Sequence, residues 1–112
     1  MNITYPDLPI SRRRNDILAA MREHQVIVVV GETGSGKTTQ LPKMAMELAG
    51  EARGRVGCTQ PRRLAAASVS RRVAEELNCD LGGLVGYQVR FEEKAGLDTR
   101  CLLYTSDAAD EL

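Results

Sequence analysis

The sequence predicts an α/β fold in which a parallel sheet is covered by helices on both faces. Three observations predict it. The aliphatic run Gln25 to Val30 (QVIVVV) is of the kind buried on both faces inside such a sheet. Helical periodicity flanks that run. Short extended segments then alternate with helices long enough to cross from one parallel strand to the next. At 112 residues, 43% of them hydrophobic, the chain is one small globular domain or a piece of a larger one.

The elements follow in order. Extended Tyr5 to Ile10 (YPDLPI) leads to Ser11, an N-cap candidate before a helix over Arg12 to Glu23 with Ile17, Leu18 and Met21 on one face. QVIVVV follows as a strand, and Gly31 to Gly36 punctuates it. A second helix runs from Lys37 to about Ala49, stopped by Gly50, with Leu41, Met44, Ala45 and Leu48 as its apolar stripe. Pro42 sits early in it, where a proline is tolerated. A short strand at Arg55 to Thr59 (RVGCT) ends at the Gln60-Pro61 break. The third helix spans about Arg63 to Leu77, with Val69, Val73 and Leu77 one above another. GYQVRF (Gly86 to Phe91) and DTR (Asp98 to Arg100) begin further extended segments.

The formal net charge of zero hides an asymmetry, because residues 53 to 72 hold six Arg and no acid. No N-terminal apolar stretch resembles a signal peptide, and VIVVV is far short of the roughly 20 residues that span a bilayer. A cytoplasmic protein with no membrane partner is the expectation. Cys58, Cys79 and Cys101 are odd in number and His24 is the lone histidine, which argues against a disulfide framework or a metal cluster. The tail CLLYTSDAADEL breaks sharply with the basic body. Its first eleven residues read as the translation of a transposon-based sequencing adapter, so residues 101 to 112 are set aside as foreign, and the body is expected to break off near Arg100.

Gly31, Gly36, Lys37 and Thr38 match G-x-x-x-x-G-K-[ST] between a predicted strand and a predicted helix. Glycines let successive backbone N–H groups turn inward at a helix N-terminus, where the dipole also favours an anion. Lys37 is placed to neutralise β and γ phosphates, and Thr38 offers a hydroxyl to Mg²⁺. The bland alternative is a glycine-rich turn with an exposed lysine. TQPRRLAA supplies a second motif at the carboxyl end of the next strand, the edge where open parallel sheets bind ligands. Thr59, Arg62 and Arg63 suit a phosphodiester backbone gripped without reading bases. A helix start with solvated arginines fits the same residues.

With GETGSGKTTQLP, TQPRRLAA, RVAEEL and GYQVRF on the page, the chain resembles the DEAH-box RNA helicases, most closely their bacterial HrpA-type branch, over nearly all of Tyr5 to Arg100. The resemblance implies a P-loop NTPase fold of RecA-like type, a three-layer parallel sheet that is incomplete here. A lead and helix would occupy residues 1 to 24, and part of the ATP-binding domain residues 25 to 100. It implies ATP and Mg²⁺ as cofactors and single-stranded RNA as partner. Gly31, Glu32, Thr33, Gly34, Ser35, Gly36, Lys37, Thr38 and Thr39 would hold the nucleotide, with Lys37 and Thr38 catalytic and Thr38 on the metal. Arg72 aligns with an arginine that stacks on adenine. Thr59, Arg62, Arg63 and Arg90 would contact RNA, although a solvated surface role fits Arg72 and Arg90 equally.

The Thr-Asp-Gly motif, the Asp-Glu-Ala-His box, the Ser-Ala-Thr motif and the second RecA-like domain are missing from this sequence. Asp107 to Glu111 (DAADE) lacks the histidine and a preceding aliphatic strand, so it does not serve as the acidic box. The parent is expected to hydrolyse ATP and move along RNA, while this stretch alone is expected to be inactive. A nucleoside kinase or a non-catalytic nucleotide-binding module are the alternatives. Oligomeric state is not legible.

Overall fold

A computed structural model describes residues 3–52, 54–105 and 107–108 of the chain. Arg53 of the basic block, and Asp110 and Glu111 of the tail, lie outside the described residues. The chain enters through a single 3₁₀ turn, Ser11–Arg13, and continues as α1, Arg14–Glu23. Ser11 is not the expected N-cap. The Arg13 N–H donates to Ile10 O at 3.1 Å, so 3₁₀ bonding takes up the entry amides, and the Ser11 hydroxyl is buried without a partner. Helix α1 buries Ile17 and Leu18.

Helix α2, Lys37–Ala52, runs through Gly50 instead of stopping there. Gly50 is exposed, and the cost of about 1 kcal/mol for glycine in a helix is small beside the packing on this helix. Met44 joins Ile10, Ile17 and Leu18 in one apolar cluster, while Met46 belongs to the cluster under the sheet. Leu41 and Leu48 of the predicted stripe pack against the first cluster, but Gln40, Pro42 and Lys43 are also buried. Pro42 removes the N–H that would reach the Thr38 carbonyl, and Thr38 faces solvent, where water can replace that bond.

Strand β1 (Val56–Thr59) and helix α3 (Arg63–Glu76) come next, followed by β2 (Val85–Val89), β3 (Glu92–Lys94) and β4 (Cys101–Tyr104). The four strands order as β1-β4-β2-β3. Strand β4 pairs parallel with both β1 and β2, setting Cys101 opposite Val56 on one side and Val85 on the other. The sheet is mixed, where a wholly parallel one was expected. Arg90 and Phe91 alone separate β2 from β3, and a two-residue link can join only antiparallel strands. Helix α3 buries Ala66, Ser70, Val73 and Ala74, of which Ala66, Val73 and Ala74 pack with Val85, Tyr87, Val89, Cys101 and Leu103. Thus four residues of the segment set aside in the sequence reading, CLLY, lie at the middle of the sheet.

The predicted strand at Gln25 to Val30 does not form. No described strand pairs with it, and its alternation survives only as one covered face and one bare face. Ile27 and Val29 pack on the cluster of Ile10, Ile17, Leu18 and Met44. Val26, Val28 and Val30 are 79%, 84% and 91% exposed. A continuous aliphatic run marks a strand meant for a sheet interior, but a strand exists only by pairing its backbone, and no described strand of the β1-β4-β2-β3 sheet pairs with this run.

Candidate functional site

The loop between Val30 and α2 is shaped by two glycines whose backbone conformation strains any other residue. Gly34 has φ +87° and Gly36 has φ +98°, in the left-handed region where a Cβ is strained. A Cβ on Gly36 would also lie 2.8 Å from Leu8 Cδ1 and 3.0 Å from Ile10 Cγ2. The turn is closed by the Ser35 N–H on Glu32 O (3.1 Å), and the loop is tied to the N-terminal lead by the Ile10 N–H on Ser35 O (3.1 Å). Lys37 opens α2 and turns its ammonium back onto the Gly31 carbonyl, spanning the loop mouth. The amides of Lys37, Thr38 and Thr39 belong to the first turn, whose N–H groups have no acceptor within the helix. Ser35 Oγ is buried with no partner.

This donor set suits a polyphosphate. Glycine amides, first-turn amides, an ammonium, the Thr38 hydroxyl and an unspent serine hydroxyl converge on one loop, with a helix dipole behind them. Glu32 and Thr33 are exposed in the turn, and Thr39 Oγ1 donates to Gly36 O at 3.4 Å. Two clefts flank the loop. One, of about 390 Å³, is lined by Lys37, Thr38, Leu41, Pro42 and the strand residues Val56 to Gln60, so it brings Lys37 and Thr38 to the end of β1 where Thr59 sits. The other, about 580 Å³, is lined by Ile17, Ala20 and Ile27 to Val30, by Arg13 and Asp16, and by the loop residues Gly31 to Ser35. The loop thus divides the two clefts, with Gly31 to Ser35 on the larger and Lys37 and Thr38 on the smaller, and the ammonium and hydroxyl of the smaller one are the groups suited to phosphate and its metal ion.

The second motif lies beside the first. Arg62 is exposed at the N-cap of α3, and Arg63 opens that helix, bonding Glu92 of β3 at 3.2 Å. Arg90 and Phe91 form the β2–β3 turn, with the Arg90 guanidinium 5.2 Å from the Phe91 ring centre. Phe91 is 87% exposed at φ +68°, a conformation uncommon for a bulky residue. The Arg63–Glu92 pair puts this turn against the start of α3, so Arg62, Arg63, Arg90 and an outward aromatic share one end of the sheet. Sequence reading passed over Phe91. Its signal was a two-residue link between strands with an aromatic where a polar turn residue is usual.

Arg72 is not free to point anywhere, because its Nε donates to Glu76 Oε2 at 2.9 Å. Glu76 is the hub of a network that the sequence did not reveal. Its Oε1 accepts from Lys43 Nζ and from Gln40 Nε2, both at 2.8 Å, and Gln40 also reaches Thr39 Oγ1 at 3.0 Å. Burial pushes the Glu76 carboxyl up, but the bonds from Lys43, Gln40 and Arg72 outweigh it and hold the group below the usual carboxylate range. Lys43 is fully buried, with its ammonium 4.8 Å from the Tyr5 ring centre. A lysine between Leu41 and Met44 of the predicted stripe reads as solvated; only the packing of Tyr5 and Glu76 around it shows otherwise.

With this geometry in view, comparison with known proteins is specific. The chain is 57% identical over 104 residues to ATP-dependent RNA helicase HrpA of Escherichia coli, covering 92% of this chain and 8% of that protein. The HrpA homologue of Haemophilus influenzae gives the same identity and coverage. This chain is a homologue of one segment of the HrpA helicases. The human protein named probable ATP-dependent RNA helicase DHX40 is 48% identical over 104 residues, covering 93% of this chain and 13% of its own length. The chain therefore spans less than a seventh of the HrpA and DHX40 proteins it matches. No protein-family model matches it. Among the described residues no helix is long and apolar enough to cross a membrane.

Proposed function

We propose that the chain carries the nucleotide-gripping part of an ATP-dependent RNA helicase, the opening of a RecA-like P-loop domain within residues 25 to 100, in a cytoplasmic protein. The observation that carries this reading is the loop itself. Gly34 and Gly36 hold positive φ directly before Lys37 and Thr38 at the start of α2, and those two residues share a cleft with Thr59. Gly31, Glu32, Thr33, Gly34, Ser35, Gly36 and Thr39 frame the phosphates. Lys37 holds the β and γ phosphates and Thr38 takes a Mg²⁺ position. The ion, when bound, supplies charge neutralisation across the phosphates. Arg72, steered by Glu76, lies on the helix next to α2, where a base attached to those phosphates can meet its guanidinium.

Thr59, Arg62, Arg63 and Arg90 grip an RNA backbone, and Phe91 offers a face on which a base can stack. Contacts of this kind hold position without reading sequence. Hydrolysis and movement along RNA belong to the whole parent, and this chain alone performs the grip. The test is a titration of the ¹⁵N-labelled chain with Mg²⁺–ATP to millimolar concentration, alongside the Lys37→Ala variant. Loop amides from Gly31 to Thr39 move in the first and stay still in the second, with unchanged dispersion elsewhere. Equal responses in both would remove Lys37 from the site. A response that needs a nucleoside co-substrate, and is indifferent to RNA, would favour a phosphotransferase.

A further inference from the structure

The lead before α1 is joined to the glycine loop and to the helix behind it by three separate kinds of contact. At its start, the Tyr5 hydroxyl donates to Glu47 Oε2 at 2.6 Å, and its ring lies beside Lys43, so the lead is pinned to α2 one turn and more beyond the loop. At its end, Leu8 and Ile10 fill the space where a side chain on Gly36 would stand. Between these, the Ile10 N–H donates to Ser35 O at 3.1 Å.

That last bond has a directional consequence. The Ser35–Gly36 peptide is trans, so its C=O and its N–H point in opposite directions. Drawing the Ser35 carbonyl toward the buried Ile10 turns the Gly36 N–H the other way, off the core and onto the open side of the loop. In its place a loop with this peptide reversed would present a carbonyl oxygen to an anion, a repulsive contact at the point where the dipole of α2 is strongest. We infer that residues Tyr5 to Ile10 are a strap that sets the orientation of the Ser35–Gly36 peptide, with the Ile10 backbone N–H as the positioning group for phosphate. This rests on the reading of Gly31 to Thr39 as a polyphosphate loop and extends that site to a segment outside the motif.

The experiment follows the Gly36 amide resonance in the full ¹⁵N-labelled chain as inorganic tripolyphosphate and Mg²⁺ are added. Ile10 has φ −66°, which a proline ring accepts, so Ile10→Pro removes the N–H, at the cost of pushing Pro9 out of its place in the Leu8–Ser11 turn. Ile10→Ala keeps the N–H and trims the side chain. In the wild type and in Ile10→Ala, phosphate moves the Gly36 resonance downfield. In Ile10→Pro the Gly36 response disappears and binding weakens about three- to tenfold, the scale of one hydrogen bond. An Ile10→Pro response equal to wild type overturns the inference and leaves the loop assignment standing, as does a wild-type titration that moves Lys37 and Thr38 but not Gly36. No movement at any loop amide in the wild type removes the loop assignment and the strap with it. Should Ile10→Pro fail to fold, the through-bond coupling between Ile10 ¹⁵N and Ser35 ¹³C′ in the wild type decides the matter. Its growth on adding phosphate supports the strap, by the reciprocity of linked equilibria; its absence, or indifference to phosphate, overturns it.

Discussion

A lysine ammonium and a missing glycine side chain hold opposite ends of the Gly31–Thr39 loop. The ammonium of Lys37 on the Gly31 carbonyl is an electrostatic closure that a phosphate can take over, since the carbonyl is a weak competitor for a full charge. Gly36 is constrained by sterics, by its φ of +98° and by Leu8 at 2.8 Å from any Cβ. Gly36→Ala therefore loses about 1–3 kcal/mol of stability from left-handed strain, before any adjustment by Leu8. Urea denaturation of the purified variant measures it. Gly34→Ala has the same φ cost but open space around it, so it is the milder of the two. A Gly34 variant less stable than the Gly36 variant contradicts this account.

At the scale of elements, the joint between α2 and α3 is a buried ion pair. Lys43 with no exposed surface meets Glu76 at 2.8 Å, with Gln40 and Arg72 completing the carboxylate's partners. Such a pair adds little net stability over apolar residues of the same shape, but removing one partner strands a buried charge. Glu76→Ala leaves Lys43 uncompensated and costs about 3–5 kcal/mol, while Lys43→Met leaves Glu76 with Arg72 and Gln40 and costs less. Thermal denaturation of the two variants ranks them, and the opposite order would discount the network.

The pH dependence has a fixed sign. Glu76 and Glu47 both titrate below the usual carboxylate range in the folded chain; in each, burial acts upward and is outweighed by bonds, from Lys43, Gln40 and Arg72 for Glu76 and from Arg14 and Tyr5 for Glu47. Their contribution is fully present above the unfolded value of about 4.3 and is lost as pH falls through the lower folded values. Stability measured from neutral pH downward falls in that acid window, and Glu76→Gln, already uncharged there, shows a shallower fall.

For the molecule as a whole, two features govern whether the chain holds together. The first is β4, which joins β1 to β2 and supplies buried Cys101 and Leu103 to the core. A chain ending at Arg100 has no strand between β1 and β2, and circular dichroism should record no cooperative melting for it. The second is the bare face of Val26, Val28 and Val30, an apolar ribbon whose backbone has no described strand beside it, the pattern that invites edge-to-edge association. Val28→Lys touches nothing in the core, so it should raise the concentration at which light scattering appears while leaving the melting temperature within the small range of surface substitutions. Because Val30 leads directly into the loop and its run is unpaired, calorimetric titration of the isolated chain with Mg²⁺–ATP is expected to give weak affinity, at the millimolar scale.

The sequence alone determined the parts whose cause is local. Gly31 to Thr38 declares a loop before a helix because glycine adopts the positive φ of Gly34 and Gly36 without the strain a side chain brings, and helical spacing placed α1, α2 and α3 to within a few residues. It also located Thr59 and Arg62 at a strand end and a helix start, where the structure has them. Tertiary structure decided what depends on partners distant in the chain. The aliphatic run in QVIVVV says that a strand is possible; pairing decides that it is one, and here no described strand pairs with it. Lys43 is charged in any sequence pattern, and only three elements closing around Glu76 make it a core residue. The contact of Ile10 with Ser35 spans 25 positions that no periodicity relates, so the segment that orients the loop could be found only in three dimensions.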